Sequence, residues 1–486
     1  MILYILGHPY HYEMENLCRV FYPGKKIRVA RDSSCRSAIP PHRLRAERSL
    51  VVITRIPRGV IEVRLFIGKR RLSIARPPGN NPELIMARML FVLLRRATGY
   101  MPPWGLLTGV RPSKLMLRLR RDEGEAGAEL YFRNALWVSP EKTALAIAVA
   151  KAEEPILART TPHSFSLYAS IPFCPSRCSY CSFVSHTVER QSAQKLIPGY
   201  VEKLCAEIAH TGAIAKELGL RLESIYIGGG TPGILSPEQL ARMCGALWVS
   251  FEPPGEFTVE AGRPDVLTPE KLRVLREYGA GRLCVNPQSL EDAVLVQAGR
   301  RHTSAQFHEA YAMAKQAGFA LNCDLIAGLP GDTPDGFGES LRKIIALRPE
   351  NITVHTLALK RAAALEDIHG AALCAEMLCM ASELLPAAGY APYYMYRQSR
   401  SLGNLENIGW CLPGQECRYN IDMMEESHTI LACGAGGVTK LKQPDSDYLE
   451  RVFSLKYPYE YLARFEELLE RKGRIKAFYE TYNTRC

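Results

Sequence analysis

Six short apolar segments alternate with helix-forming segments between residues 167 and 357, and this alternation restricts the fold more than any other feature. The apolar segments are Leu167–Ile171, Leu222–Ile227, Phe257–Glu260, Arg282–Asn286, Leu321–Ala327 and Ile352–Leu357. Strands that alternate with helices are typical of βαβ units and a parallel sheet. Six units are too few for a closed eight-stranded barrel, so the pattern predicts an α/β fold with an open, partial (β/α)6 barrel. Ligands of such sheets bind at the carboxyl ends of the strands.

The segments between these strands begin with helix-start signals. Ser236 with Gln239, and Thr303 with Gln306, have the spacing of capping boxes. Thr268 stands directly before a proline, which favours the first turn of a helix. These signals support the alternation of strands and helices.

The regions on either side of the predicted barrel have other patterns. The first 162 residues mix short strands and helices, and Leu50–Ile56 with Gly59–Phe66 predicts a hairpin. After residue 388 aromatic residues and glycines cluster, and the tail is helical and charged. We therefore expect an α+β amino-terminal domain at 1–162, the barrel at 163–388, and a small carboxy-terminal domain at 389–486 that covers the substrate.

Composition narrows the class of protein. The chain has 486 residues, of which 47% are hydrophobic and 23% charged, and its formal net charge is +11. A basic excess suits an acidic membrane, nucleic acid or an acidic small substrate, but no RNA-binding module is recognisable, so nucleic acid is not expected as a partner. Signal-peptide features are missing, and no run approaches the roughly 18 apolar residues of a membrane span. We expect a cytoplasmic protein without a membrane span, whose 15 cysteines are reduced.

A cysteine motif follows the first predicted strand directly. Cys174, Cys178 and Cys181 have the spacing Cys-x3-Cys-x2-Cys. Three thiolates so close together can each bind one iron of a 4Fe–4S cubane and leave the fourth iron open to another ligand. A structural zinc site would require four protein ligands, and a loop with buried thiols is the remaining alternative.

This motif, together with the segment Ile227-Gly-Gly-Gly-Thr-Pro232 after the second strand, resembles the radical S-adenosylmethionine (SAM) superfamily. The resemblance implies a 4Fe–4S cluster whose open iron takes the amino and carboxylate groups of SAM, in one or two SAM molecules. It also implies a reduced electron donor of the flavodoxin or ferredoxin type. One electron then cleaves SAM and gives a 5′-deoxyadenosyl radical, which removes hydrogen from the substrate.

The same resemblance implies further contacts to SAM at the strand ends. The implied residues are Tyr168, Tyr180, Gly229, Gly230, Thr231, Glu260, Gln288, Arg300, Asp324 and Ala358. Their chemistry agrees, because carboxylates accept hydrogen bonds from ribose hydroxyls and arginine binds a carboxylate with two donors. A strand-end aspartate such as Asp324 can instead cap a neighbouring turn.

Longer strings are similar to the oxygen-independent coproporphyrinogen III oxidase group, which includes HemN-type enzymes, HemW-type haem chaperones and HemZ-type proteins. The strings are Tyr168–Phe183 for the group, and Glu260–Asp265, Asp324–Pro330 and Thr108–Lys114 for the HemZ type. The resemblance implies oxidative decarboxylation of two propionates of an anionic tetrapyrrole to vinyls. Arg111, Arg263 and Arg397 are candidate propionate ligands, and exposed surface arginines are the alternative.

Two departures keep other functions open. The decarboxylase carries a further cysteine two residues after the third cluster cysteine, where this chain has Phe183. The carboxy-terminal motif of the chaperone has a histidine where this chain has Tyr419, although tyrosine can also bind haem iron. A haem-binding chaperone and a radical enzyme that modifies or opens haem therefore remain alternatives. His355, at the end of the sixth strand, either faces the cavity or packs in the core.

Overall fold

A computed structural model of the protein describes residues 1–32, 50–183, 186–189, 191–358, 368–398 and 401–482. Contacts between Cα atoms divide the chain into two compact units. Unit 1 is Met1–Ile147, Ala358–Ala372 and Arg397–Leu405, and unit 2 is Ala148–Leu357, Leu373–Tyr396 and Glu406–Cys486. The division into three domains stays a prediction.

Unit 1 contains a five-stranded sheet with the order β2-β1-β3-β4-β5. Its strands are β1 (Ile2–Leu6), β2 (Arg28–Asp32), β3 (Leu50–Arg55), β4 (Ile61–Ile67) and β5 (Arg70–Arg76). The first helices of the chain are α1 (His11–Phe21), α2 (Pro82–Thr98), α3 (Pro112–Leu130) and α4 (Pro140–Leu157). β1 is parallel to β2 and β3, while β3, β4 and β5 are antiparallel. The predicted hairpin is β3–β4, so it is confirmed.

Unit 2 is built on an eleven-stranded sheet with the order β14-β15-β13-β12-β11-β10-β9-β6-β16-β17-β18. The six predicted strands are β6 (Ser164–Ile171), β9 (Arg221–Gly229), β10 (Glu256–Gly262), β11 (Arg282–Val285), β12 (Ala320–Ala327) and β13 (Asn351–Thr356). Neighbours among these six are parallel. The prediction of an open α/β barrel is therefore confirmed. A separate parallel pair, β7 (Phe173–Cys174) and β8 (His186–Thr187), follows β6.

The carboxy-terminal part of the chain continues the same sheet at both edges. Its strands are β14 (Ala391–Arg397), β15 (Glu406–Cys411), β16 (Thr429–Cys433), β17 (Val438–Lys442) and β18 (Leu449–Phe453). β16 is parallel to β6, whereas β15 is antiparallel to β13. All residues of β15 and β16 are buried, so neither strand has the alternating pattern that would reveal it in the sequence.

Helices connect the strands of unit 2. The helices after residue 190 are α5 (Gln191–Glu217), α6 (Pro237–Ser250), α7 (Pro269–Glu277), α8 (Asp292–Gln297), α9 (Ser304–Gln316), α10 (Pro334–Leu347), α11 (Ile368–Ala387), α12 (Arg418–Glu425), α13 (Pro458–Ala463) and α14 (Phe465–Tyr482). Both predicted capping boxes, at Ser236 and Thr303, are present. The Thr268 side chain also caps its helix, by accepting a hydrogen bond from the backbone N–H of Lys271.

One helix is long and apolar enough to cross a membrane. In α11, Gly370–Ala387 has a mean hydropathy of 1.3 over 18 residues, and a single such helix is weak evidence because core helices pass the same test. A search for uninterrupted apolar runs overlooks this segment, since Glu376 and Glu383 interrupt it. In unit 2 the helix packs at the end of β12, where the Cys374 thiol donates to the carbonyl oxygen of Ala327 at 3.1 Å.

Tyrosines fill the part of unit 2 between the sheet and α12. Tyr393 and Tyr394 are 1% and 5% exposed. The rings of Tyr226 and Tyr419 stack with centroids 4.5 Å apart. A Cβ at Gly409 would lie 1.9 Å from the ring of Tyr394, so glycine at this position of β15 leaves room for the ring. These tyrosines therefore pack in the core.

A buried ion pair attaches the last helix to the barrel. Lys472 in α14 lies with its Nζ 2.9 Å from Oε1 of Glu207 in α5, and both side chains are at most 5% exposed. The other oxygen of Glu207 accepts hydrogen bonds from the Tyr461 hydroxyl at 2.6 Å and the Gly434 N–H at 2.8 Å. Every charge in this group is therefore compensated within the protein.

We expect Lys472→Met to lower the free energy of unfolding by about 3–5 kcal/mol, because it leaves the carboxylate of Glu207 buried without its cation. Denaturant unfolding followed by circular dichroism measures the change. The control is Lys476→Met in the same helix, whose side chain is 38% exposed and pairs with Glu217; it should cost less than about 1 kcal/mol. Equal losses in the two variants would contradict a special role for the buried pair.

Candidate functional site

The three motif cysteines lie in the loop that follows β6, at the carboxyl edge of the sheet. Cys174 and Cys178 are each 9% exposed, and Cys181 is half-buried. All three are free thiols. Two hydrogen bonds hold the loop, from the N–H of Ser179 to the carbonyl of Ala298 at 3.0 Å and from the N–H of Val188 to the carbonyl of Cys174 at 3.0 Å.

The glycine run after β9 lies against this loop. The N–H of Gly230 donates to the carbonyl of Ile171, and the N–H of Thr231 donates to that of Phe173, both at 2.8 Å. A Cβ at Gly230 would lie 2.8 Å from the sulfur of Cys174. The backbone therefore comes close to a cluster cysteine and leaves a space that any other side chain would fill.

The donor set fits a cubane better than a single metal ion. Among the described residues, no three His, Cys, Asp or Glu side chains are grouped so that they could hold one ion. A mononuclear zinc site requires such convergence, whereas in a cubane each thiolate binds a different iron. Cys174, Cys178 and Cys181 are thus suited to hold a 4Fe–4S cluster.

Two carboxyl groups meet at the ends of β10 and β12. Burial and the neighbouring charge of Asp324 raise the pKa of Glu260 to about 8, although a hydrogen bond with Tyr226 opposes the shift. Asp324 is oriented by Asn322, whose side-chain amide donates to it at 2.7 Å. Glu260 also borders the glycine run, because a Cβ at Gly228 would lie 3.0 Å from its Oε2. The two carboxyl groups can accept hydrogen bonds from the hydroxyls of a ribose.

Gln288 combines an unusual backbone with an unsatisfied side chain. Its φ is 69°, in the left-handed region that residues other than glycine rarely adopt. Its backbone is held between Asp324 and Ile326, since its N–H donates to the carbonyl of Asp324 at 2.9 Å and its carbonyl accepts from the N–H of Ile326 at 3.0 Å. Its buried Oε1 has no hydrogen-bond partner among the described residues. An orphaned acceptor on a strained backbone is typical of a ligand-binding position.

Arg300 is a buried cation whose side chain donates to neutral groups of the protein. It is 6% exposed, and its guanidinium donates to the Tyr180 hydroxyl at 2.8 Å, the Asn286 carbonyl at 2.7 Å and the His302 ring at 3.3 Å. These bonds use three of its five N–H donors. No carboxylate of the described residues lies within ion-pair distance of it, so a ligand carboxylate would find a free charge there.

His355 lies beside the acidic pair. Its Nε2 is 3.6 Å from Asp324, and its Nδ1 is 3.3 Å from the Tyr396 hydroxyl. Its side chain is 25% exposed. The histidine is therefore linked to the acidic pair through Asp324.

Other predicted residues are distributed over both units. Tyr168 stacks on Tyr226 with ring centroids 6.3 Å apart and lies beside Glu260. Ala358 belongs to unit 1, where it forms an isolated bridge with Ser401.

The three candidate propionate ligands differ in what they contact. Arg263 donates with two nitrogens to the carboxylate of Asp265, at 2.9 and 2.6 Å, and a third donates to the hydroxyl of Ser176 in the cysteine loop. In unit 1, Arg397 donates to backbone carbonyls, among them that of Asn404 at 3.1 Å. Both are 3% exposed, so a contact with propionates would require these bonds to break. Arg111 is half-buried at the start of α3.

Sequence reasoning missed three residues of the site: Tyr226, Asn286 and His302. Tyr226 lies two positions before Gly228 in β9, so the period of two could have placed it on the face of Gly228. Asn286 and His302 orient Asp324 and Arg300, and no local pattern marks such orienting residues.

Comparisons with known proteins identify the family. Residues 168–344 match the family described as the radical SAM superfamily. The oxygen-independent coproporphyrinogen-III oxidase-like protein HemZ of Bacillus subtilis is 37% identical over 396 residues, which cover 78% of this chain and 78% of that protein. The heme chaperone HemW of the same organism is 34% identical over 199 residues, which cover 40% of this chain and 51% of that protein.

Among solved structures, the coproporphyrinogen III oxidase HemN from Escherichia coli shares the fold. Its TM-score is 0.51 and its identity 22%, and the match covers 66% of this chain and 73% of that chain.

We expect Cys178→Ala to leave the cluster with two protein ligands and to abolish the formation of 5′-deoxyadenosine from SAM. Iron content and chromatography of the nucleoside measure the two effects. Cys379→Ala, which removes an exposed thiol in α11, is the matched control and should keep both. Undiminished 5′-deoxyadenosine from Cys178→Ala would contradict the cluster assignment.

Proposed function

This chain belongs to the radical SAM superfamily, in the group of oxygen-independent coproporphyrinogen III oxidase-like proteins, and we propose that it oxidatively decarboxylates propionates of coproporphyrinogen III to vinyls. The observation that carries the proposal is the extent of the similarity to HemZ, which covers 78% of both chains. The segment that matches the superfamily runs from residue 168 to residue 344. Similarity far outside that segment supports a shared substrate class as well as shared cofactors.

The 4Fe–4S cluster and SAM, when bound, supply a radical that removes hydrogen from the carbon β to a propionate carboxylate; carbon dioxide leaves, and an external acceptor takes one electron. The chain's own residues hold SAM in place. Arg300 offers its unused donors to the methionine carboxylate, and Glu260 and Asp324 accept from the ribose hydroxyls. The orphaned oxygen of Gln288 accepts an N–H of the ligand.

Charge supports an anionic substrate. Coproporphyrinogen III carries four carboxylates, and the chain has a formal net charge of +11. Arginine binds carboxylates with its planar, two-pronged donor set. Of the three candidate arginines, Arg263 and Arg397 are almost fully buried whereas Arg111 is half-buried, so Arg111 is the one we place first.

A haem carrier is the second candidate, and one observation favours it. The decarboxylase has a further cysteine where this chain has Phe183, which is 57% exposed, and the loss of that cysteine favours a function other than decarboxylation. Tyr419 argues against it. This residue replaces the histidine of the chaperone motif, is 5% exposed, and stacks on Tyr226 inside the barrel. A haem-modifying radical enzyme would use the same cofactor site with another tetrapyrrole.

We expect the reconstituted, reduced protein to convert coproporphyrinogen III in the presence of SAM, with the mass of two formic-acid equivalents lost per substrate and 5′-deoxyadenosine formed in proportion. Anaerobic incubation followed by mass spectrometry measures both. The Cys178→Ala protein is the negative control and should form neither product. SAM cleavage without any loss from the porphyrinogen would contradict the decarboxylase and leave haem as substrate or cargo.

We expect Arg111→Ala to raise the Michaelis constant for coproporphyrinogen III about tenfold or more, since a hydrogen bond to a charged group contributes roughly 1.5–3 kcal/mol. SAM cleavage without substrate should be unchanged. Arg121→Ala is the control, because this arginine lies in α3, the helix that Arg111 directly precedes, and its side chain is 76% exposed. An unchanged Michaelis constant in Arg111→Ala would remove this residue from the substrate site.

A further inference from the structure

A wide groove opens in unit 2 on the outer side of the cysteine loop. Its volume is about 1420 Å³, and we call it the cluster-side groove. Its lining residues come from the cysteine loop, β8 and the residues after it, the start of α5, α8 with the segment after it, and the start of α13 with the two residues before it. Those used below are Arg177, His186, Arg301, Lys456, Tyr457 and Tyr459. Arg300 and His302 also line it, so the groove reaches the guanidinium assigned above to the SAM carboxylate, whereas Glu260 and Asp324, assigned to the ribose, do not line it.

The groove lies next to the cluster cysteines. Arg177 directly precedes Cys178 in the loop, and Gly299 forms the wall behind it. A Cβ at Gly299 would lie 3.3 Å from the carbonyl oxygen of Arg177 and 3.7 Å from the Cα of Cys178. The wall of the groove is therefore a single layer of backbone beside a cluster ligand. Electron tunnelling falls exponentially with distance, so this wall offers a short path to the cluster.

The rim of the groove is positively charged. Arg177 and Lys456 are exposed, and neither lies within ion-pair distance of a carboxylate in the part of the chain that the structure describes. The acidic residue Glu189 is paired with Arg301. Asp292, the other carboxylate of the groove, accepts a hydrogen bond from the N–H of Ser304 at 2.7 Å. Arg177, Arg300, Arg301 and Lys456 outnumber the two carboxylates of the groove, Glu189 and Asp292, and this positive excess favours an acidic partner.

Aromatic rings are exposed between these cations. Tyr457 and Tyr459 are parallel, with centroids 5.4 Å apart, and Tyr459 is 50% exposed. His186 meets both rings edge-on. The Lys456 ammonium lies 5.5 Å from the centre of the Tyr457 ring. Exposed tyrosines beside cations are typical of the centre of a protein–protein interface.

We propose that the cluster-side groove is the docking surface for an acidic protein that carries one electron at a time. In the complex the carrier loses one electron and the cluster gains one, and no bond forms or breaks in the protein. The proposal requires the 4Fe–4S cluster but no particular substrate. A failure of the decarboxylation assay would therefore not contradict it.

The test uses the full-length, cluster-loaded protein and a flavodoxin as the acidic carrier. Calorimetric titration measures affinity, and stopped-flow absorbance measures the rate at which reduced flavodoxin bleaches the cluster. We expect Arg177→Glu/Lys456→Glu to weaken binding roughly tenfold or more and to slow this reduction to the same degree. Lys456→Glu alone, which leaves the cysteine loop intact, should give a smaller loss in the same direction. Added salt should weaken the binding of the native protein.

Two controls separate docking from general effects. Reduction by dithionite, a small reductant that needs no docking surface, should proceed at the native rate in Lys456→Glu, with unchanged iron content. Arg342→Glu/Lys343→Glu changes the net charge equally on α10, outside the groove, where both side chains are about half exposed; it should keep the native affinity.

Three outcomes would overturn the proposal. The first is native flavodoxin affinity and reduction rate in both groove variants. The second is an equal loss in the α10 variant, because net charge and not the groove would then guide the carrier. The third is loss of coproporphyrin III binding in the groove variants while flavodoxin binding persists, which would assign the groove to a small anion.

Discussion

Two backbone hydrogen bonds hold the reactive end of this protein together. They run from Gly230 and Thr231, after β9, to the carbonyls of Ile171 and Phe173, on either side of the end of β6. Because they fix the glycine turn to the cysteine loop, the space beside Cys174 has a defined shape and a bare backbone wall. Glu260 and Asp324 lie in β10 and β12, Gln288 follows β11 and is bonded to the backbone of β12, and all three depend on the parallel register of the sheet. A shift in one strand would separate ligand contacts that lie far apart in the sequence.

The sequence predicted the parts of the fold that repeat a local rule. The six strands, the capping boxes at Ser236 and Thr303, and the β3–β4 hairpin all depend on short-range patterns, and they were confirmed. The carboxy-terminal strands were not recognised as members of the same sheet, because β15 and β16 are buried on both faces and lack alternation. Register between distant segments, such as β16 beside β6, is set by tertiary packing, which a local pattern does not encode.

The candidate site was predictable in its chemistry but not in its orientation. Cysteine spacing and the glycine run indicated the cofactors, and the family in which they occur is shown by the comparisons. The positive φ of Gln288, the three bonds that orient Arg300, and the pairing of Arg263 with Asp265 depend on residues that only folding brings together. Sequence reasoning therefore named Arg263 and Arg397 for their charge, although the structure places their guanidinium groups against other parts of the protein.

The pairing of β16 with β6 has a consequence for biosynthesis. β6 carries the chain into the cysteine loop at residue 171, yet its neighbour on one side begins only at residue 429. On the ribosome, that edge of β6 stays open while more than half of the chain is still to be made. Open strand edges pair readily with other chains, so this edge is exposed to wrong pairing until β16 covers it. The backbone bonds described for the cysteine loop come from Val188, Gly230, Thr231 and Ala298, so these contacts can form before that edge of β6 is covered.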